Sequence, residues 1–154
     1  MPKEKTNGRK LKIVLTGKIP SANRYWRHGR RGNVNIVRTS KEAKAFKEYV
    51  RLSYFSQNRG MARAMLEGSV KVKIFWFCSA KCNGGDLDNK IKILLDAMEG
   101  CVYRNDNQVV KIESSKIMHS GVNVLIVEAE EVDPEDLFVP EWAAEIAKSL
   151  RKEL

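Results

Sequence analysis

Histidine and cysteine are scarce in this chain: two of the 154 residues are histidine and three are cysteine. The thiols are Cys78, Cys82 and Cys101. An odd number fits reduced thiols in a cytosol better than a disulfide framework. Cys78 and Cys82 have a metal-like spacing, but no second pair or nearby histidine completes a zinc site. No Gly-rich stretch ends in Gly-Lys-Ser/Thr, which argues against P-loop nucleotide chemistry. Long apolar runs are missing too. The densest, IFWFCSA at 74–80, is far too short to span a bilayer. The opening MPKEKTNGRK has no apolar core behind its charges and so is not a secretory signal. These absences predict a cytoplasmic protein with no membrane partner. No internal repeat or long low-complexity linker divides the chain.

Positive charge is in surplus. The net charge is +9 and the sequence pI about 9.6. That balance points to a polyanionic partner, nucleic acid before an anionic membrane. With 43% apolar and 31% charged residues, the chain has the composition of one ordinary domain with a real core.

Residues 1–9 read as a flexible basic arm. KLKIVLTG alternates Leu11, Ile13 and Leu15 on one face, a strand pattern. The basic stretch that follows is turn-rich, with VNIV as a short second strand. Thr39 and Glu42 form a candidate capping box. Behind it Ala43, Phe46, Val50 and Tyr54 share a helical face that ends near NRG, and 61–66 add a further turn. SVKVKIFWFC is the clearest strand, with Val70, Val72, Ile74 and Trp76 facing one way. Ile91, Leu94, Leu95 and Met98 mark a second helix, which Gly100 stops. QVVKIESSKIM and VNVLIVEAEE read as a hairpin joined at HSG, with His119 in the turn. In the last segment, 133–154, Pro140 suits a first helical turn, and Trp142, Ile146 and Leu150 follow at helical spacing. That amphipathic helix docks on the domain or meets a partner, docking being the expectation. The whole reads as an α+β two-layer sandwich, a mixed sheet with helices packed on it, over 10–132.

The stretch GGDLDNKIKILLDAMEG, residues 84–100, sets Asp86, Asp88 and Asn89 together where an apolar helix begins. Asp and Asn cap helices well, and acids near a helix start interact favourably with its dipole. One cap suffices, so the second acid needs another reason. A cluster of Asp oxygens suits magnesium or manganese. An EF-hand loop starting at Asp86 would need glycine at its sixth position and glutamate at its twelfth. Ile91 and Ala97 stand there, which excludes it. Lys92 lies four residues after Asp88 on the same helix side. It is an ion-pair partner for Asp88 or Asp96, or a cation aimed at a phosphate. In YRNDNQVV, Asp106 precedes a strand. It is a turn residue in its own right, and it comes beside Asp86 and Asp88 if that strand returns alongside the one ending at Cys78. Asn89 is the residue expected to cap the helix.

Arg24, Arg27, Arg30, Arg31 and Arg38 are interleaved with Tyr25, Trp26 and His28. Arginine forks suit phosphates, and aromatic faces stack on unpaired bases. The alternative is a solvated loop with Trp26 in the core. Lys90 adds a further candidate phosphate contact.

Together these segments resemble the RusA family of Holliday-junction resolvases. IPSANRYWRH looks like the family's early Pro-Ser-x-Asn-Arg-Tyr segment. DLDNKIKILLDAMEG resembles its Asp-Leu-Asp-Asn-x-x-Lys helix, and YRNDNQVVKI its Asp-Asp-x-Gln-Val-Val segment. The resemblance implies a homodimeric, magnesium-dependent endodeoxyribonuclease (manganese as a substitute) that cuts symmetrically across four-way DNA junctions. It implies Asp86, Asp88 and Asp106 as metal-binding acids and Lys92 as the essential basic residue. Asn105 stands where the family usually has a second acid, and Gly-Gly precedes Asp86 in place of a proline or basic run. Two alternatives remain open: a junction-binding protein that has lost cutting, and a structural interaction domain with a capped helix.

Overall fold

In the computed structural model, residues 8–17, 19–60, 65–79 and 85–151 are described. The elements run β1 (Lys10–Thr16), α1 (Ala22–Tyr25), β2 (Trp26–Arg31), β3 (Val34–Thr39), α2 (Lys41–Gln57), β4 (Ser69–Phe77), α3 (Leu87–Met98), β5 (Val109–Ile117), β6 (Val124–Val132) and α4 (Glu141–Arg151). One sheet has the order β1-β6-β4-β5, and β2 and β3 form a separate two-stranded ribbon. The pairing is mixed: β4 runs parallel to β5 and antiparallel to β6. The fold is α+β.

Strict alternation decides which side of the sheet is covered. Leu11, Ile13 and Leu15 of β1 and Val70, Val72, Ile74 and Trp76 of β4 are buried. They meet Ala43, Phe46, Val50 and Tyr54 of α2 and Ile93, Leu94, Ala97 and Met98 of α3 in one core. The face of α3 is rotated slightly from expectation, since Ile91 and Leu95 are only partly buried while Ile93 and Ala97 take the centre. Gly100 ends the helix as expected, at φ 82°. No described helix covers the other face of the sheet. Register sorts that face into rows. Lys10, Glu130, Lys71 and Lys111 lie across the strands, and then Lys12, Glu128, Lys73 and Glu113. Glu128 takes Lys10 at 3.0 Å, and Glu113 takes Lys111 at 3.0 Å and Lys71 at 3.1 Å.

The expected hairpin of the last two strands does not form. A strand–helix–strand unit of this length permits parallel pairing, and β5 takes one edge of β4 while β6 takes the other. The link between them crosses the end of β4: Cys78 N donates to Ile117 O at 2.8 Å, and Ser120 N to Cys78 O at 2.9 Å. His119 is a turn residue there, at φ 56°.

Three other expectations shift. The cap of α2 is Ser40, whose hydroxyl accepts from Ala43 N at 3.1 Å. Thr39 is held in the β ladder opposite Trp26, which leaves the Thr39–Glu42 box unformed. The supposed arm is paired at its end, where Glu131 N donates to Arg9 O at 3.0 Å. Gly8 passes so close to the Glu131 carbonyl that a Cβ there would collide with it. Residues 1–7 and 61–64 and Cys82 lie outside the described residues. α4 forms as expected, but none of its residues is buried, and Trp142, Ile146 and Leu150 are exposed.

Candidate functional site

The start of α3 explains how its acids are spared. Asp86 occupies the N-cap position with extended backbone, φ −76° and ψ 139°, yet its side chain makes no capping hydrogen bond. Asn89, expected to be the cap, is already inside the helix, where the backbone is helical and the residue cannot serve as one. Asp86 and Asp88 are both exposed. One turn beyond Asp88 is exposed Lys92, and one further turn on is half-buried Asp96. Asp88, Lys92 and Asp96 therefore line one helix side.

Two lysines hold this helix start in place. Lys90 donates through Nζ to Ile19 O and Pro20 O. Lys116 donates through Nζ to Gly85 O at 3.0 Å. Both ammonium groups approach the Trp76 ring, at 5.8 and 5.0 Å from its centroid. Lys90 is thus half-buried and engaged with the backbone ahead of α1. The role of Lys116 was invisible in sequence, because only the β4–β5 register sets it beside Trp76.

Asp106 opens a 3-10 turn, Asp106–Gln108, just before β5. The strand does return alongside β4, but in parallel. Val109 pairs with Val70, at the far end of β4 from Cys78. Asp106 therefore belongs to the C-terminal end of α3, and its charge acts on Asp96 and Tyr103. Burial first, then Asp106 and Glu99, push the Asp96 carboxyl above its ordinary value against the pull of Lys92. Tyr103 is buried and pushed far upward by that burial, and its hydroxyl donates to Leu95 O at 2.9 Å. The helix spans 12 residues, about 18 Å at 1.5 Å per residue. Within one chain the acids sit at its two ends. Among the described residues no three His, Cys, Asp or Glu converge to hold a metal ion.

Asn105 caps the 3-10 turn. Its Oδ1 accepts from Asn107 N at 2.9 Å. Gln108 Oε1 accepts from Arg104 N and Asn105 N, and its Nε2 donates to Leu66 O and Gly68 O.

The basic stretch is a ribbon rather than a loop. Gly32, at φ 61°, opens the two-residue turn between β2 and β3. Strand pairing sets Arg27 opposite Arg38 and Gly29 opposite Ile36. With Arg31 they form one face, and Trp26, His28 and Arg30 project from the other. Every residue of β2 is exposed. Arg24 is exposed at the end of α1. Tyr25 is not available for stacking: it is buried, edge-on to Trp26 with centroids 5.2 Å apart, and its carbonyl accepts from Ser40 N. Trp26 is 38% exposed, so it is not a core residue.

Cys78 and Cys101 are buried, and burial raises the Cys101 thiol above its ordinary value. Among the described residues no helix is long and apolar enough to cross a membrane. A family model described as endodeoxyribonuclease RusA matches residues 17–127. No curated protein matches the chain.

Proposed function

Since the chain belongs to the RusA endodeoxyribonuclease family, we propose that it is a structure-selective, metal-dependent endonuclease that resolves four-way DNA junctions as a homodimer. The observation that carries the site is at Asp86: an acid in the capping position whose carboxylate is not spent on the helix amides. Asp86, Asp88 and Asp106 are exposed, and an all-carboxylate donor set suits a hard cation such as magnesium, with manganese as a substitute. When bound, such a cation polarises phosphoryl oxygens and lowers the pKa of bound water. Lys92 lies one turn from Asp88 and offsets charge on the phosphate. The ribbon arginines grip flanking phosphates, and Trp26 supplies a ring for an unpaired base.

The acids lie at opposite ends of one α3. A two-fold axis that set α3 antiparallel to its copy would bring Asp86 and Asp88 toward the partner's Asp106. It would also create two equivalent sites, matching the symmetry of a junction.

The direct test is cleavage of a synthetic four-way junction with magnesium. Asp88→Asn should lower cutting by on the order of a thousandfold while binding persists. Normal cutting by that variant would reject the assigned site. A binding protein that has lost cutting is the second reading, favoured by Asn105, whose oxygen is occupied in capping. If wild type binds but does not cut and Asn105→Asp does cut, that reading stands.

A further inference from the structure

The uncovered face of the sheet is divided by register into two halves. Beyond the lysine-rich rows come two apolar ones. Val14, Ile126 and Phe75 lie side by side, ending at Ser115, and then Val124, Phe77 and Ile117, starting from Thr16. Val14 and Phe75 are 41% and 40% exposed. The same chain carries a second unmatched apolar surface. Phe138, Trp142, Ile146 and Leu150 are 82%, 66%, 54% and 55% exposed, and the last three lie on one side of α4 at four-residue spacing. Removing apolar side chains of this size from water is favourable. Both surfaces therefore favour a cover, and α4 lies outside the residues that match the family model.

Within this chain both surfaces stay bare: Trp142, Ile146 and Leu150 on the helix and Val14 and Phe75 on the sheet are all exposed. A second copy of the chain can supply the missing cover to each. Charge agrees with this match. No lysine or arginine occurs from 117 to 147, while Asp133, Glu135, Asp136, Glu141 and Glu145 fall there. On the sheet face the lysines outnumber the glutamates that pair with them. Aromatic side chains bury roughly 150–250 Å² apiece. Two reciprocal contacts of this kind reach the roughly 1,200–2,000 Å² of a stable interface.

We propose that α4 of one copy docks on the apolar rows Val14–Ile126–Phe75 and Val124–Phe77–Ile117 of a second copy, in a reciprocal exchange. This face lies opposite the one that carries α3, so the contact is separate from the nuclease site. The test is the mass of the full chain by light scattering. Ile146→Glu spoils the helix and Phe75→Glu the sheet face, and each should halve the wild-type assembly, whatever number of copies the nuclease site requires. An equimolar mixture of the two should regain mass as concentration rises, more weakly than wild type, because one of the two contacts re-forms where the intact helix of one variant meets the intact sheet of the other. Val14→Lys repeats the sheet variant at a second position should Phe75→Glu not fold, as judged by circular dichroism. Unchanged masses with lower melting temperatures would mean docking within one chain and overturn the proposal. Unchanged masses and melting temperatures, or a loss of mass that mixing does not raise at any concentration, would overturn it as well.

Discussion

Lys90 and Lys116 approach the Trp76 ring from two elements, and each spends its ammonium on a backbone carbonyl. One fixes the segment before α1 and the other fixes Gly85 before Asp86. Such half-buried, charge-assisted bonds act on stability and placement rather than on DNA charge. Lys90→Met keeps the apolar stem and removes the bonds. It should cost about 1–3 kcal/mol in denaturant unfolding. The slope of log affinity for DNA against log salt should stay at its wild-type value, whereas removing a cation that neutralises a phosphate would reduce it by about one. Asp96 offers a second test at this scale. Burial raises its carboxyl above the ordinary value, so the folded state binds that proton more tightly than the unfolded chain does. The stabilising contribution is complete below the ordinary carboxylate range and is lost as pH rises through the folded value. Asp96→Asn should therefore melt higher than wild type at pH 7, and the gap should close as the solution is acidified. A thermal melt series across pH checks both the sign and the window.

At the scale of elements, the β2–β3 ribbon reverses the reading of its stretch as a loop. Arg27, Arg31 and Arg38 read as scattered charges along the chain, but pairing places them on one face around Ile36. The sequence carried part of this in VNIV and in the Gly32–Asn33 pair. What concealed β2 is that WRHGRR has no apolar alternation, because neither face of the ribbon enters the core. Removing Arg27, Arg31 or Arg38 singly should weaken binding to all DNA sequences alike and lower the salt slope by about one for each phosphate no longer neutralised. Salt titrations by fluorescence anisotropy would measure this. α3 was legible because a single face had to fill a core, and its cap was misassigned because three residues that cap well, Asp86, Asp88 and Asn89, stand within four positions.

For the molecule as a whole, the parallel β4–β5 pairing has the largest consequence. It puts Asp106 at one end of α3 and Asp86 and Asp88 at the other. If two copies share each site, two separately inactive variants should complement each other. A mixed dimer of Asp88→Asn and Asp106→Asn chains would assemble one site with all three carboxylates and one that keeps Asp86 alone. Nicking of a single strand should then return, to about a quarter of the wild-type rate after random subunit exchange, since half of the dimers are mixed and each has one intact site. Two variants that stay inactive when mixed, despite confirmed exchange, would place all three acids of a site in one protomer.

The sequence by itself determined the elements that fill the core, since burial imposes a period of two or of 3.6 residues on the chain. It also marked the acids of α3, because two carboxylates exceed what one helix cap needs. Tertiary structure alone decided the direction of β5, the release of Asp86 from capping, the burial of Tyr25 and the seating of Lys116 on Trp76. Each of these depends on groups far apart in the chain, and local periodicity holds no information about which distant strand a strand will meet.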